Sequence, residues 1–161
     1  MAIYFMRHGE TFGNTNNARV SVKEATEKIS LSVIGKQQVR EAKIPGNLDY
    51  IVISDSLRTK QSAEIIVNTN KLNVPIRVES DLYPWESGAD DWNTYMDRYE
   101  DFIDHYNPNG PYENKDHLRK RVQKVLDKYR GKNILVVAHS ILLANYIGKE
   151  SMDYAKVIQI N

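Results

Sequence analysis

Short, unbroken apolar runs punctuate this chain at long intervals. Ala2-Ile3-Tyr4-Phe5-Met6, Tyr50-Ile51-Val52-Ile53 and Ile134-Leu135-Val136-Val137-Ala138 all lack the alternation of a half-exposed strand. Runs of that kind are expected of strands covered on both faces. Pro75-Ile76-Arg77-Val78 and Lys156-Val157-Ile158-Gln159-Ile160 are weaker strand candidates. Between the runs the apolar positions change to a helical period. Residues 32–43 carry Val33 and Val39 among good helix formers, with Gly35 counting against a helix. Residues 56–69 set Leu57, Ala63, Ile65, Ile66 and Val67 toward one face, and residues 115–130 repeat Leu118, Val122, Val125, Leu126 and Tyr129. Strands alternating with helices predict an α/β protein with a mostly parallel sheet. No repeat, low-complexity tract or linker divides the chain, so 1–161 reads as one domain. Residues 79–112, which include Asn107-Pro108-Asn109-Gly110-Pro111, are expected to form a small lid-like insert over the strand ends.

Composition narrows the classes. A chain of 161 residues, 41% hydrophobic and 27% charged, suits one globular domain with a core that needs no staples. The absence of cysteine excludes thiolate catalysis, C-x-x-C redox chemistry and Cys-ligated zinc. A net charge of +1 argues against a domain built to bind nucleic acid. Arg7 and His8 interrupt the first apolar run before a secretory core could form, and no run approaches the roughly 18–20 residues of a membrane span. A cytoplasmic protein with neither nucleic-acid nor membrane partner is the expectation.

The average charge conceals two lopsided regions. Residues 79–104 hold nine acids against Arg98, and residues 115–132 hold eight bases against two acids. They are expected to be solvated surfaces that attract each other weakly, the alternative being an anionic partner for the basic helix. Acidity in the insert would disfavour highly anionic substrates.

The chemistry gathers where strands end. Arg7 and His8 follow the first strand, Ser54-Asp55-Ser56-Leu57-Arg58 follows the second, and His139-Ser140 follow the strand at 134–138. Ligands of open α/β sheets bind beyond the carboxyl ends of the strands. The second and third of these segments run directly into helices, whose first N–H groups lack intrahelical acceptors. Two arginines, two histidines and two helix N-termini suit a dianionic group, phosphate above all, because the guanidinium fork matches its oxygens. Neighbouring cations lower an imidazole pKa, which leaves the ring neutral and nucleophilic near pH 7.

These residues carry a resemblance. Arg7-His8-Gly9-Glu10-Thr11 with Asn14, the run Ser54 to Ala63, Val137-Ala138-His139-Ser140, and Leu31 to Gln38 are similar to segments of the histidine phosphatase superfamily, the phosphoglycerate mutase-like proteins. The match runs in order from residue 1 to about 145. It implies a three-layer α/β/α fold and a reaction without metal or other cofactor, in which His8 becomes phosphorylated. It also implies that the Gly9 carbonyl fixes the imidazole tautomer and that Arg7, Arg58 and His139 hold the phosphoryl oxygens. Asn14 and the backbone N–H of Ser140 would be further donors. Asn14 also reads as an ordinary turn residue.

One segment departs from the family. Where Leu-x-Glu usually supplies a general acid, this chain has Leu82-Tyr83-Pro84-Trp85-Glu86. Glu86 is the best replacement, with Asp81, Asp90 and Asp91 as alternatives. Trp85 and Trp92 either wall the cleft or pack in the core, and His105 and His117 are expected at the surface. The resulting expectation is a metal-independent phosphatase acting on a small phosphomonoester through phospho-His8. The nearest alternative is a phosphohistidine protein phosphatase with a phosphoprotein partner, since an N–P bond depends less on an acid. A mutase would need more cover than this insert offers. A phosphate-binding module without turnover is the non-enzymatic alternative.

Overall fold

The computed structural model describes residues 1–12 and 28–161. Five strands form one sheet: β1 (Ile3–Arg7), β2 (Tyr50–Ile53), β3 (Ile76–Val78), β4 (Ile134–Ala138) and β5 (Val157–Gln159). Their order is β3-β2-β4-β1-β5. The first four are mutually parallel, and β5 runs antiparallel along the free edge of β1. Residues whose side chains alternate across the sheet are buried on both sides, which accounts for the unbroken apolar runs.

Among the described residues five α-helices cover the sheet: α1 (Val33–Glu41), α2 (Leu57–Asn70), α3 (Trp92–Asp104), α4 (Lys115–Lys128) and α5 (Ser140–Tyr146). Met6, Ile51, Ile53, Leu135 and Val137 pack with Val39 of α1 and Ala63 and Ile66 of α2 on one face. Phe5, Val52, Ile134 and Val136 pack with Phe102 of α3, Leu118 and Val122 of α4 and Leu142 of α5 on the other. The expected three-layer α/β/α architecture is therefore present. Ser32, Ser56, Asp91 and Asn114 cap the first four helices, each side chain accepting a backbone N–H from the first turn.

Gly35, the residue that weakened the helical pattern of α1, has a steric reason to be there. A Cβ at Gly35 would lie 1.9 Å from the Glu10 carbonyl oxygen, and one at Gly9 would lie 2.4 Å from the Gly35 oxygen. Two bare backbones thus press the start of α1 against the loop that follows β1.

Residues 79–112 contribute side chains to the core. Leu82, Trp85, Phe102 and Tyr112 are buried in the main cluster, and Tyr95, Tyr99 and Tyr106 pack against it. Trp85 is thus a core residue, its ring 4.9 Å from Phe102, while Trp92 is half-buried against Tyr95. Arg121, almost wholly buried on α4, staples the insert down. Its fork donates to both Glu113 oxygens at 2.7 and 2.8 Å, and Nη1 donates to the carbonyls of Asp81 and Tyr83. Lys124 and Lys128 of the basic helix meet Asp81 and Glu79 at the surface, in keeping with the expected mutual attraction. No helix among the described residues is long and apolar enough to cross a membrane.

Candidate active site

Parallel pairing of β1 with β4 brings the first part of the site together. Arg7 lies opposite Ala138, so the next residues, His8 and His139, leave adjacent strands side by side. Their rings meet edge to face at 5.5 Å. β2 flanks β4 on its other side, and the Ser54 N–H donates to the Val137 carbonyl. The chain then turns at Ser56 into α2, whose second residue is Arg58.

Arg58 joins the two histidines. Its Nε–H donates to Nε2 of His8 at 3.1 Å, and its Nη2 to Nδ1 of His139 at 3.2 Å. The remaining ring nitrogens then have fixed roles. Nδ1–H of His8 donates to the Gly9 carbonyl at 2.7 Å, and Nε2–H of His139 donates to Ser54 Oγ at 2.8 Å. Each imidazole is neutral, with one lone pair turned toward the guanidinium.

The electrostatics agree that both rings are neutral. Burial, the Arg58 charge and, more weakly, Arg7 lower His8 to a pKa of about 3, against the opposing bond to Gly9. His139 is pushed well below its usual value by burial, Arg58 and His8. Burial also lowers Arg58 to about 10, with the Tyr95 phenol opposing and Arg7 adding to the effect, so the guanidinium stays charged at pH 7. Tyr95 of α3 is thereby identified as a neighbour of the cationic pair. Burial holds its phenol above the usual range.

Arg7 approaches from β1. Its Nη1 donates to the Met152 carbonyl at 3.1 Å, its Cζ stands 3.8 Å from the centre of the Tyr154 ring, and its Nε is buried with no hydrogen-bond partner. Ser140 opens α5 directly after His139, and its hydroxyl accepts the Met152 N–H at 2.9 Å. The structure thus groups Arg7, His8, Arg58, His139 and Ser140 at the carboxyl edge of the sheet. Asn14 lies outside the described residues.

The acids are arranged differently. Glu86 is exposed and lines a surface depression with Gly88, Glu113, Asn114 and His117, while Arg7, His8, Arg58 and His139 are not part of that depression. Asp91 is the cap of α3, accepting from Thr94 N–H and Oγ1, bonds that keep its carboxyl below the usual range. Asp81 pairs with Lys124, and Glu113 is engaged by Arg121 and by His117. Pro84 is half-buried, and Asp90 is exposed. His105 and His117 are surface residues. Among the described residues no three His, Asp or Glu side chains are grouped to hold a metal ion.

Sequence reasoning missed Ser54 as the partner of His139, and Tyr95 and Tyr154 as neighbours of the arginines. Ser54 had a visible signal, its place two residues before a helix cap at a strand end. Tyr154 had none, because an isolated bridge to Arg7, ahead of β5 and across most of the chain, carries it there.

A sequence model of the histidine phosphatase superfamily (branch 1) matches residues 3–151. Among solved structures, Bacillus stearothermophilus YhfR is 21% identical with a TM-score of 0.72, over 99% of this chain and 90% of that one. The phosphoglycerate mutase from Thermus thermophilus is 20% identical with a TM-score of 0.71, over 100% and 93%. The alpha-ribazole phosphatase from Shigella flexneri is 20% identical with a TM-score of 0.69, over 100% and 90%. These likenesses are likenesses of fold. No curated protein matches the chain.

Proposed function

This chain belongs to the histidine phosphatase superfamily, and on that premise we propose that it is a phosphatase that hydrolyses a small phosphomonoester through a phosphorylated His8. The observation that carries the reading is the Arg58 fork between two neutral imidazoles, one of them aimed through its Nε2 lone pair at the same guanidinium. A bound phosphoryl group would take the Arg58 N–H groups onto its oxygens and so uncover that lone pair.

The two steps then balance. Nε2 of His8 attacks phosphorus while the P–O bond to the leaving group breaks, its electron pair staying on oxygen, which takes up a proton. Water next attacks the phosphorus of phospho-His8, the N–P bond breaks, and its electron pair returns to Nε2. Throughout, Nδ1–H remains on the Gly9 carbonyl and spreads the positive charge that develops on the ring. Arg7, Arg58 and the start of α5 at Ser140 stabilise the phosphoryl charge. In this reading the protein is cytoplasmic and works without a cofactor.

Glu86 is proposed as the donor of the leaving-group proton, which requires its exposed side chain to turn from its own depression toward the bound ester. A second reading is favoured by a specific arrangement: Pro84 stands where the acid was expected, and the carboxylates of Asp81, Asp91 and Glu113 are engaged elsewhere. Phosphohistidine on a partner protein would need that proton less, since its leaving nitrogen departs more readily. Competing substrates separate the two readings. Faster turnover of aryl and alkyl phosphates than of a phosphohistidine carrier protein supports the first. The reverse order supports the second, and phosphate binding without turnover of either rejects both.

A further inference from the structure

The segment after α5 closes on Arg7 from three directions. The Met152 carbonyl accepts from Nη1 at 3.1 Å, the Tyr154 ring lies 3.8 Å from Cζ, and the Ala155 N–H donates to the Arg7 carbonyl at 3.0 Å. Ala155 holds this bond with φ at 53°, a left-handed conformation that residues with a Cβ disfavour. Ser140 Oγ binds the Met152 N–H and so ties the segment to the residue after His139. The same Tyr154 ring stands 6.2 Å from the His8 ring.

Meanwhile Arg7 Nε is buried without a partner. The guanidinium is thus held by its Nη1 bond and its ring contact, and a phosphoryl oxygen is the acceptor its charge suits. A free arginine side chain would lose rotamer freedom on meeting that acceptor. An aromatic face against the planar guanidinium makes that loss in advance.

We propose that Tyr154 is a positioning residue for Arg7: its ring and the Met152 carbonyl fix the plane of the guanidinium beside His8, where its charge meets the phosphoryl group. The inference rests on the reading of this cluster as a phosphoryl site. It requires the face of the ring, not the hydroxyl. Tyr154→Phe should therefore preserve function that Tyr154→Leu loses.

The test compares wild type, Tyr154→Phe and Tyr154→Leu in kcat/KM for p-nitrophenyl phosphate, Kd for inorganic phosphate, and melting temperature. Tyr154→Leu should lower kcat/KM and phosphate affinity by about tenfold each, with Tyr154→Phe within about twofold of wild type. In an Arg7→Lys background, the same Leu substitution should weaken phosphate binding by less than about twofold. Three results overturn the inference: Tyr154→Leu matching wild type, Tyr154→Phe losing as much as Leu, or the full tenfold loss persisting beside Arg7→Lys. Should Tyr154→Leu fail to fold, Tyr154→Met is read by the same criteria. A wild type that neither binds phosphate nor hydrolyses the ester overturns the functional reading and this inference with it. A wild type that does both, with the Leu variant unaffected, overturns the inference alone.

Discussion

The Nε–H of Arg58 donates to the Nε2 lone pair of His8 at 3.1 Å, so in the unliganded protein a cation covers the nitrogen proposed as nucleophile. Burial and then the Arg58 charge keep the ring deprotonated, and the bond holds it in one orientation. It also makes the two residues interdependent: phosphate must draw the guanidinium away before the imidazole can react. Lysine offers the charge without the fork.

Arg58→Lys and Arg58→Gln should each lower kcat/KM by about 100-fold or more, the scale of losing a donor to transition-state charge. In Arg58→Gln the His8 pKa should rise, because the nearest cation is gone. Imidazole chemical shifts followed through a pH titration measure the second effect. A His8 that still titrates near pH 3 in this variant would show that Arg58 has little electrostatic hold on it.

Stability should fall in acid because of two buried neutral imidazoles. Unfolded histidine titrates near 6.5, while His8 in the folded protein titrates near 3 and His139 well below 6.5. Between those values the unfolded state binds more protons, so the contribution is present above about pH 6.5 and is lost as pH falls toward the folded values. Each histidine supplies a slope of about 1.4 kcal/mol per pH unit within its window. Denaturant melts between pH 7 and 4.5 should show this loss, reduced by about one proton's worth in His139→Asn. A flat profile would mean that the imidazoles are not buried neutral.

Gly35→Ala decides between two opposing effects. Propensity in a helix favours alanine by about 1 kcal/mol. The added Cβ would sit 1.9 Å from the Glu10 carbonyl oxygen, which accepts from the Ser32 N–H, while the Glu10 N–H is tied to Gln38 Oε1. Forced displacement of that loop should cost about 1–3 kcal/mol and prevail. Chemical denaturation gives the sign directly, and a stabilised variant would contradict the close approach of α1 to the loop after His8.

The proposed acid makes a leaving-group prediction. Glu86→Gln should slow hydrolysis of alkyl phosphates by about 100-fold and leave aryl phosphates nearly unaffected, since only the poorer leaving group needs a proton in the transition state. Steady-state rates on a matched series of esters measure it. Equal effects on both would remove Glu86 from the chemistry.

Much of this arrangement is legible in the chain. The runs at 3–7, 50–53 and 134–138 are continuous because both sheet faces are covered, and that same burial fixes where Arg7, His8 and His139 emerge. The insert is harder to read. Tyr95, Tyr99, Phe102, Ile103 and Tyr106 form an i, i+3/i+4 stripe, but six acids between residues 90 and 104 suggest a solvated cover. In the fold the stripe faces inward against Trp85 and Tyr112, and the acids remain outside except Asp101, which is half-buried and accepts from the Tyr112 hydroxyl. Tyr154 could not be read at all, because its place depends on an isolated parallel bridge to Arg7, a contact across most of the chain.

The central claim is the covalent intermediate on His8. Rapid acid-free quenching of the enzyme with a 32P-labelled aryl phosphate, followed by peptide mapping, tests it most directly. The account predicts acid-labile label on the peptide containing His8, formed and discharged at rates consistent with turnover, and neither label nor hydrolysis in His8→Ala. Full hydrolysis by His8→Ala, or turnover by wild type with label on another residue, would contradict it.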